Sequence, residues 1–272
     1  MPSLKYIILS LHSINVMLKD PFGRRDHQLL QDCCWTLSYI TEYNPHGDDY
    51  DDDNGNDDGL RLDVASVILD SGLADVLIEL LFHSKDIVVH PALRTIGNIA
   101  TGSDAVTTKL LQRPGIMEAI AMLIHKESKL AIRRETLWLI SNITAGDRHQ
   151  VDLIVKNQAV LQSVINVVMT NEQDCVKKEA VWAISNATAN CNVEQIRAIC
   201  ASGGIEALVH WLMHCQEVRC ITPFLCFVDL CRKPLNGMVV DLVASRDCNR
   251  SGFTAKWRLC ASMDCTTYSA AD

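Results

Sequence analysis

The sequence predicts an all-α chain wound as a right-handed superhelical solenoid, and three observations carry that prediction. Aromatic residues make up only 6% of the chain, while Leu, Ile, Val and Ala are abundant, the balance expected where helix packs on helix. The apolar spacing is helical wherever it is regular. A four-residue signature also recurs, as Trp35/Tyr39, Arg94/Asn98, Trp138/Asn142 and Trp182/Asn186, at intervals of 59, 44 and 44 residues. The long interval contains an acidic insertion at 46–61 and falls to the low forties without it. A period of 42 to 44 residues built only from helices is that of armadillo or HEAT units.

Taken in order, the elements favour armadillo, because a full unit contains three helices. Leu4 to Leu18 and Asp26 to Tyr43 read as the last two helices of an incomplete unit. Leu62 to Leu69 stops at Asp70-Ser71-Gly72, and Leu73 to Phe82 follows. Lys85 to Ala100 is a long third helix ended by Gly102, with Pro91 expected in its first turn or at a kink. The plan recurs as Asp104 to Gln112, a Pro114-Gly115 corner, Ile116 to His125, and Ser128 to Ala145 closed by Gly146. A further unit comprises Asp147 to Asn157, Val160 to Met169 and Asp174 to Ala189. Val193 to Ala201, a Gly203-Gly204 corner and Ile205 to His214 begin another, after which the pattern dissolves at Pro223 and Pro234. Ile221 to Leu230 could form a short cap, and Trp257 reads as a local anchor. The chain thus divides into a partial unit at 1–45, a disordered acidic loop at 46–61 and full units at 62–102, 103–146 and 147–190. A partial unit or cap at 191–232 and an irregular tail at 233–272 complete it.

Charge and composition exclude several classes. The formal charge is −8, of which Asp48, Asp49, Asp51, Asp52, Asp53, Asp57 and Asp58 contribute −7. The remainder is nearly neutral and offers no basic face for nucleic acid. No apolar run reaches the 18 residues of a membrane span, and the start carries no signal-peptide cleavage pattern. Of the twelve cysteines, nine lie at or after Cys191, and Cys215, Cys220, Cys226 and Cys231 lack the paired spacing of a zinc site, so free thiols and no metal are expected. No phosphate-binding loop and no nucleophile–His–acid arrangement is present, and His83, His90 and His125 read as structural, so neither an enzyme nor a cofactor is expected. The acidic loop reads as a solvated insertion; a sharper expectation is that it concentrates basic partners near the solenoid.

Two helices carry the chemistry. Arg133 to Gly146 and Lys177 to Ala189 both read basic-basic-Glu, then Trp, then Asn four residues later. Glu135, Trp138 and Asn142 fall at i, i+3 and i+7, one helical face, and Glu179, Trp182 and Asn186 repeat it. Each helix therefore has a core stripe and a second stripe of carboxylate, indole and amide. These helices resemble the third helices of the importin alpha family, and that resemblance implies that the stripe holds an extended basic peptide. Amides can hydrogen-bond its backbone, indoles can hold the stems of Lys or Arg with about 0.5–2 kcal/mol of cation–π attraction each, and carboxylates can select the cationic heads.

At these helices, and at Asp32 to Tyr39 and Pro91 to Gly102, the chain resembles the importin alpha family, adaptors for nuclear localisation signals. The resemblance is loose over 1–45 and good over 62–214, and implies about the fourth to eighth armadillo repeats of that family. It implies a peptide groove whose minor site comprises Trp138, Asn142, Trp182 and Asn186, with Glu135, Glu179, Ser141, Asn98 and Arg94 around them and Asp104 and Thr107 beside the central basic pair. Ala100 is smaller than the family's usual residue. Asp32, Trp35 and Tyr39 would be a residue of the major site. The family also implies shuttling between cytoplasm and nucleus and, as a partner, importin beta. The basic segment that binds importin beta has no counterpart here, so a chain that binds peptides without coupling them to transport is a second expectation. A catenin-type armadillo scaffold is a third, but its groove would need Lys and Arg where Trp, Asn and Glu stand.

Overall fold

The computed structural model describes residues 4–42, 64–125, 127–189 and 191–214. The expected acidic loop at 46–61, the cap from Ile221 to Leu230, the tail at 233–272 and Trp257 lie outside the described residues. Within them the fold is an α solenoid of thirteen helices, with no strand. Helices α1 (Leu4–Lys19) and α2 (His27–Glu42), joined through a 3-10 turn at Gly23–Arg25, precede three triplets. These are α3 (Val64–Asp70), α4 (Leu73–Leu80) and α5 (Asp86–Ile99), then α6 (Asp104–Leu111), α7 (Ile116–Leu123) and α8 (Leu130–Ala145), then α9 (Arg148–Val155), α10 (Gln158–Met169) and α11 (Asp174–Ala189). Helices α12 (Val193–Ala201) and α13 (Gly204–His214) follow. None is long and apolar enough to cross a membrane.

Three of the corners between the first two helices of a unit place a glycine in the left-handed region. These are Gly72, Gly115 and Gly203, with φ of 73°, 86° and 92°, positions where any other L-residue would be strained. The α9–α10 corner has no such glycine. There Asn157 caps α10 instead, its side chain accepting from the Val160 N–H. Pro91 sits in the second turn of α5 rather than the first; being buried, it contributes apolar packing at the loss of a single backbone donor.

One apolar core runs the length of the solenoid, from Leu11 and Leu18 through Leu93, Ile96, Leu137 and Ile140 to Ile184 and Trp211. The most extensive helix contacts are among the third helices, in the order α2, α5, α8, α11. These neighbours are parallel: Thr95 donates to the Cys34 carbonyl at 3.2 Å and Asn98 to the Ser38 carbonyl at 3.0 Å, stepping the same way along α5 and α2.

A second set of ties joins the first helices. Gln150, wholly buried, donates through Nε2 to the Asp104 carbonyl at 2.9 Å and the Thr108 hydroxyl at 3.0 Å. Forty-five residues on, Gln195 does the same to the Arg148 carbonyl and the Asp152 carboxylate. Each Gln stands three residues after its helix's N-cap, Asp147 or Asn192, which accepts from its backbone N–H. Sequence reasoning missed this pair; the recurrence of Asp/Asn-x-x-Gln at the repeat period was the available signal.

Cys33 and Cys34 are buried thiols, and burial, followed by the neighbouring Cys33, pushes Cys34 up to about 12. Cys175 is exposed, and the described cysteines form no disulfide.

Candidate peptide-binding groove

The parallel stack aligns corresponding residues of the third helices. Trp35, Arg94, Trp138 and Trp182 form one row. Tyr39, Asn98, Asn142 and Asn186, four residues further along each helix, form a second. Asp32, Glu135 and Glu179 stand one turn earlier on α2, α8 and α11, where α5 carries Pro91. Trp35, Trp138 and Trp182 are all half-buried, so they belong to the surface face rather than the core.

Trp138 comes down onto the preceding third helix. A Cβ at Gly97 would stand 2.3 Å from its ring, so glycine is required for this approach. The guanidinium carbon of Arg94, one turn before Gly97, lies 4.6 Å from a ring centroid of the same indole. Arg94 also reaches Glu135 at 3.2 Å and Glu42 at 3.4 Å. Glu135, expected among the residues around the minor site, is only 5% exposed in its side chain and is paired with Arg94 and, at 3.4 Å, with the preceding Arg134. Arg94, standing where the other third helices carry Trp, places a cation within the chain's own reach of that carboxylate.

The amide row is not uniform. Asn98 is 8% exposed and is held by the Ser38 carbonyl and the Thr41 hydroxyl. Asn186 donates to the Ser141 carbonyl at 3.0 Å, tying α11 to α8. Asn142 differs: its Nδ2 is enclosed without a hydrogen-bond partner among the described residues. An unmet buried donor is unfavourable, and rotation of the amide would offer it to a carbonyl lying in the groove.

At the α8–α11 junction, Glu179 is half-buried and has no ion pair among the described residues. Burial pushes its carboxyl above the ordinary range; Glu135 acts the same way, against Arg134 and Lys178. Desolvation with so little pairing makes this carboxylate a strong acceptor for an incoming cation.

The other expected residues fall as follows. Ser141 is buried, its hydroxyl donating to the Trp138 carbonyl at 2.8 Å. Thr107 is also buried and donates to the Ala100 carbonyl, so its hydroxyl serves the α5–α6 junction rather than a ligand surface. Asp104 is exposed at the start of α6. At the α2 end, Trp35 stacks with Tyr39 at 6.0 Å and meets His90 edge-on at 5.5 Å, while exposed Asp32 accepts from Gln28. Among the described residues no group of three or more His, Cys, Asp or Glu is placed to hold a metal ion.

A solenoid of three-helix units with an indole–amide face is an armadillo-repeat structure, and solved structures of that class superpose on it. A designed armadillo repeat protein in complex with peptide (KR)4 matches with a TM-score of 0.66 and 24% identity over 81% of each chain. A second designed armadillo repeat protein gives 0.66 and 23% over the same shares. No protein-family model matches the chain.

Within that class, 42% of the chain is similar in sequence to importin alpha subunits. It is 34% identical over 113 residues to importin subunit alpha-3 of Arabidopsis thaliana, and 35% identical over 114 residues to importin subunit alpha-1b of Oryza sativa subsp. japonica. Importin subunit alpha-2 of Caenorhabditis elegans is 32% identical over 114 residues. The matched segment spans 18% of the length of each of these relatives.

Proposed function

We propose that the chain binds Lys/Arg-rich peptides in extended form along the α8–α11 part of the groove, as the cargo-binding portion of a nuclear import adaptor. The observation that carries this is the packed α8–α11 pair, which carries the half-buried indoles of Trp138 and Trp182 and, one turn before Trp182, the desolvated carboxylate of Glu179. A Lys or Arg stem fits between indoles, and its charged head meets the carboxylate. Asn142 supplies the unmet donor for a peptide carbonyl, and Asn186 keeps one amide hydrogen beyond its tie to Ser141. One slot gives weak binding, so useful affinity requires several contacts in register along the stack.

In this reading the protein is a binding module rather than an enzyme, its cargo carries basic nuclear localisation signals, and it passes between cytoplasm and nucleus. Importin beta is a partner by family resemblance only. Direct binding of nucleic acid or membrane is no part of the function. Homology to importin alpha subunits supports the reading. It is tested by fluorescence titration of a Lys-Lys-Arg-type peptide against a control with Glu replacing each base. Saturable binding of the basic peptide alone, weakened by salt, is expected; equal binding of both, or of neither, refutes it.

A further inference from the structure

Helix α13, the last of the described helices, carries two histidines four residues apart, His210 and His214, on successive turns of one face. Their ring centroids are 4.3 Å apart, with the planes tilted by 33°. The Nδ1 of His214 lies 2.8 Å from the His210 carbonyl oxygen. A carbonyl only accepts, so in this contact the proton is on Nδ1 and the lone pair is on Nε2. A backbone carbonyl fixes the tautomer and orientation of metal-binding imidazoles in the same way. His210 is half-buried and His214 exposed, so ions in solution can reach both rings. Burial, followed by the charges of His214 and Lys177, pushes His210 below its ordinary value. That favours the neutral ring, the form that ligates.

We infer that His210 and His214 form a two-imidazole site for a borderline divalent metal ion of the zinc class. The spacing of the rings suits a single shared ion. A metal stands about 2.0–2.1 Å from each ligating nitrogen, so two imidazoles at right angles around it have centroids ~4.5 Å apart. The observed 4.3 Å is close to that value. Among the described residues no group of three ligands is present, so water fills the remaining positions of the ion. Imidazole nitrogens select zinc, nickel or copper over magnesium and calcium, which take oxygen ligands. Glu206, one turn before His210, adds attraction for a dication, and Lys177 opposes it. The ion bridges two turns of α13 and so favours the helical form of its last turn. The site is independent of the proposed peptide groove.

The site is tested in the full chain by titrating zinc ion, its free concentration set by a metal buffer, and following the histidine ring resonances. His210 and His214 are assigned through His210→Gln and His214→Gln, and His12, exposed on α1, serves as the internal reference. The rings of His210 and His214 should shift together and saturate with one midpoint, about tenfold or more below the zinc concentration at which His12 responds. Magnesium ion should shift neither. In each Gln variant the surviving ring should bind zinc about tenfold or more weakly, because the chelate is lost. Helical circular dichroism should be unchanged in both variants, since neither ring is buried.

A pair that responds no more readily than His12, or a shift of one ring without the other, overturns the inference. So does undiminished zinc binding by the surviving ring of a folded variant. The comparison with His12 is made in unaltered protein, so it decides the question even where a variant does not fold.

Discussion

Gly97 and Trp138 are in closer contact than any residue with a side chain at position 97 would permit: a Cβ there would stand 2.3 Å from one ring carbon and 2.8 Å from the next. This approach joins the third helices of successive units and sets the tilt of the indole that both Arg94 and the proposed peptide use.

Gly97→Ala should therefore destabilise the protein despite alanine's helix preference. The preference is worth about 1 kcal/mol, whereas overpacking against a rigid ring costs about 1–3 kcal/mol. A lowered urea midpoint with a changed tryptophan emission is expected; an unchanged midpoint and emission would show that Trp138 does not lie where the geometry has it.

The two central indoles should dominate peptide affinity. Each cation–π contact contributes about 0.5–2 kcal/mol, so Trp138→Ala with Trp182→Ala should weaken a basic peptide by about fivefold to several hundredfold. Helical circular dichroism should be retained, since both rings are half-buried surface residues. Retained affinity in the double variant would remove the groove assignment.

Asn98 and Asn142 should separate structure from binding. Asn98→Ala loses two hydrogen bonds to α2, one buried and one partly so, and should cost about 1–3 kcal/mol of stability. Asn142→Ala removes a donor that has no partner among the described residues, so stability should change by no more than about 0.5 kcal/mol while peptide affinity falls. Denaturant titrations alongside peptide titrations distinguish these outcomes, and equal stability losses would contradict the difference between the two amides.

Peptide affinity should also depend on pH through Glu179. Burial raises this carboxyl, aided by Glu135 and opposed by Arg134 and Lys178. A cationic ligand needs the ionised form, so affinity should be full at neutral pH and decline as pH falls through a value above the ordinary carboxylate range. Folding has the opposite sign: a raised acid binds its proton more readily when folded, so this group's share of stability grows as pH falls. Anisotropy titrations from neutral to mildly acidic pH check this, and Glu179→Gln should flatten the profile. A profile unchanged by that substitution would exclude Glu179 as the acceptor.

Much of the helix plan was legible because helical periodicity, glycine corners and the repeat interval act locally along the chain. The expected helices from Leu73 to His214 lie within a few residues of those observed, because each depends on its own apolar stripe and its own stop. Pro91 departs from expectation by standing in the second turn of α5, where tertiary burial outweighs one missing hydrogen bond.

The groove was legible as residue types but not as free valences. Spacing placed Glu135 and Glu179 on equivalent faces, yet one carboxylate is enclosed in ion pairs and the other is not. Thr107 and Ser141 likewise turned inward to bond carbonyls of their own chain. The Gln150 and Gln195 ties were overlooked because a buried glutamine resembles any polar residue until its acceptors, more than forty residues away, are known.

The amino-acid order by itself determined the helices, their period and the face on which indoles, amides and acids recur, since these follow from 3.6-residue geometry and local chain chemistry. Only the stacking of α5 against α8 decided that Arg94 would reach Trp138 and Glu135. That contact bridges forty-one residues from Arg94 to Glu135, and a pairing over such a distance is set by how neighbouring units pack, which no local pattern encodes.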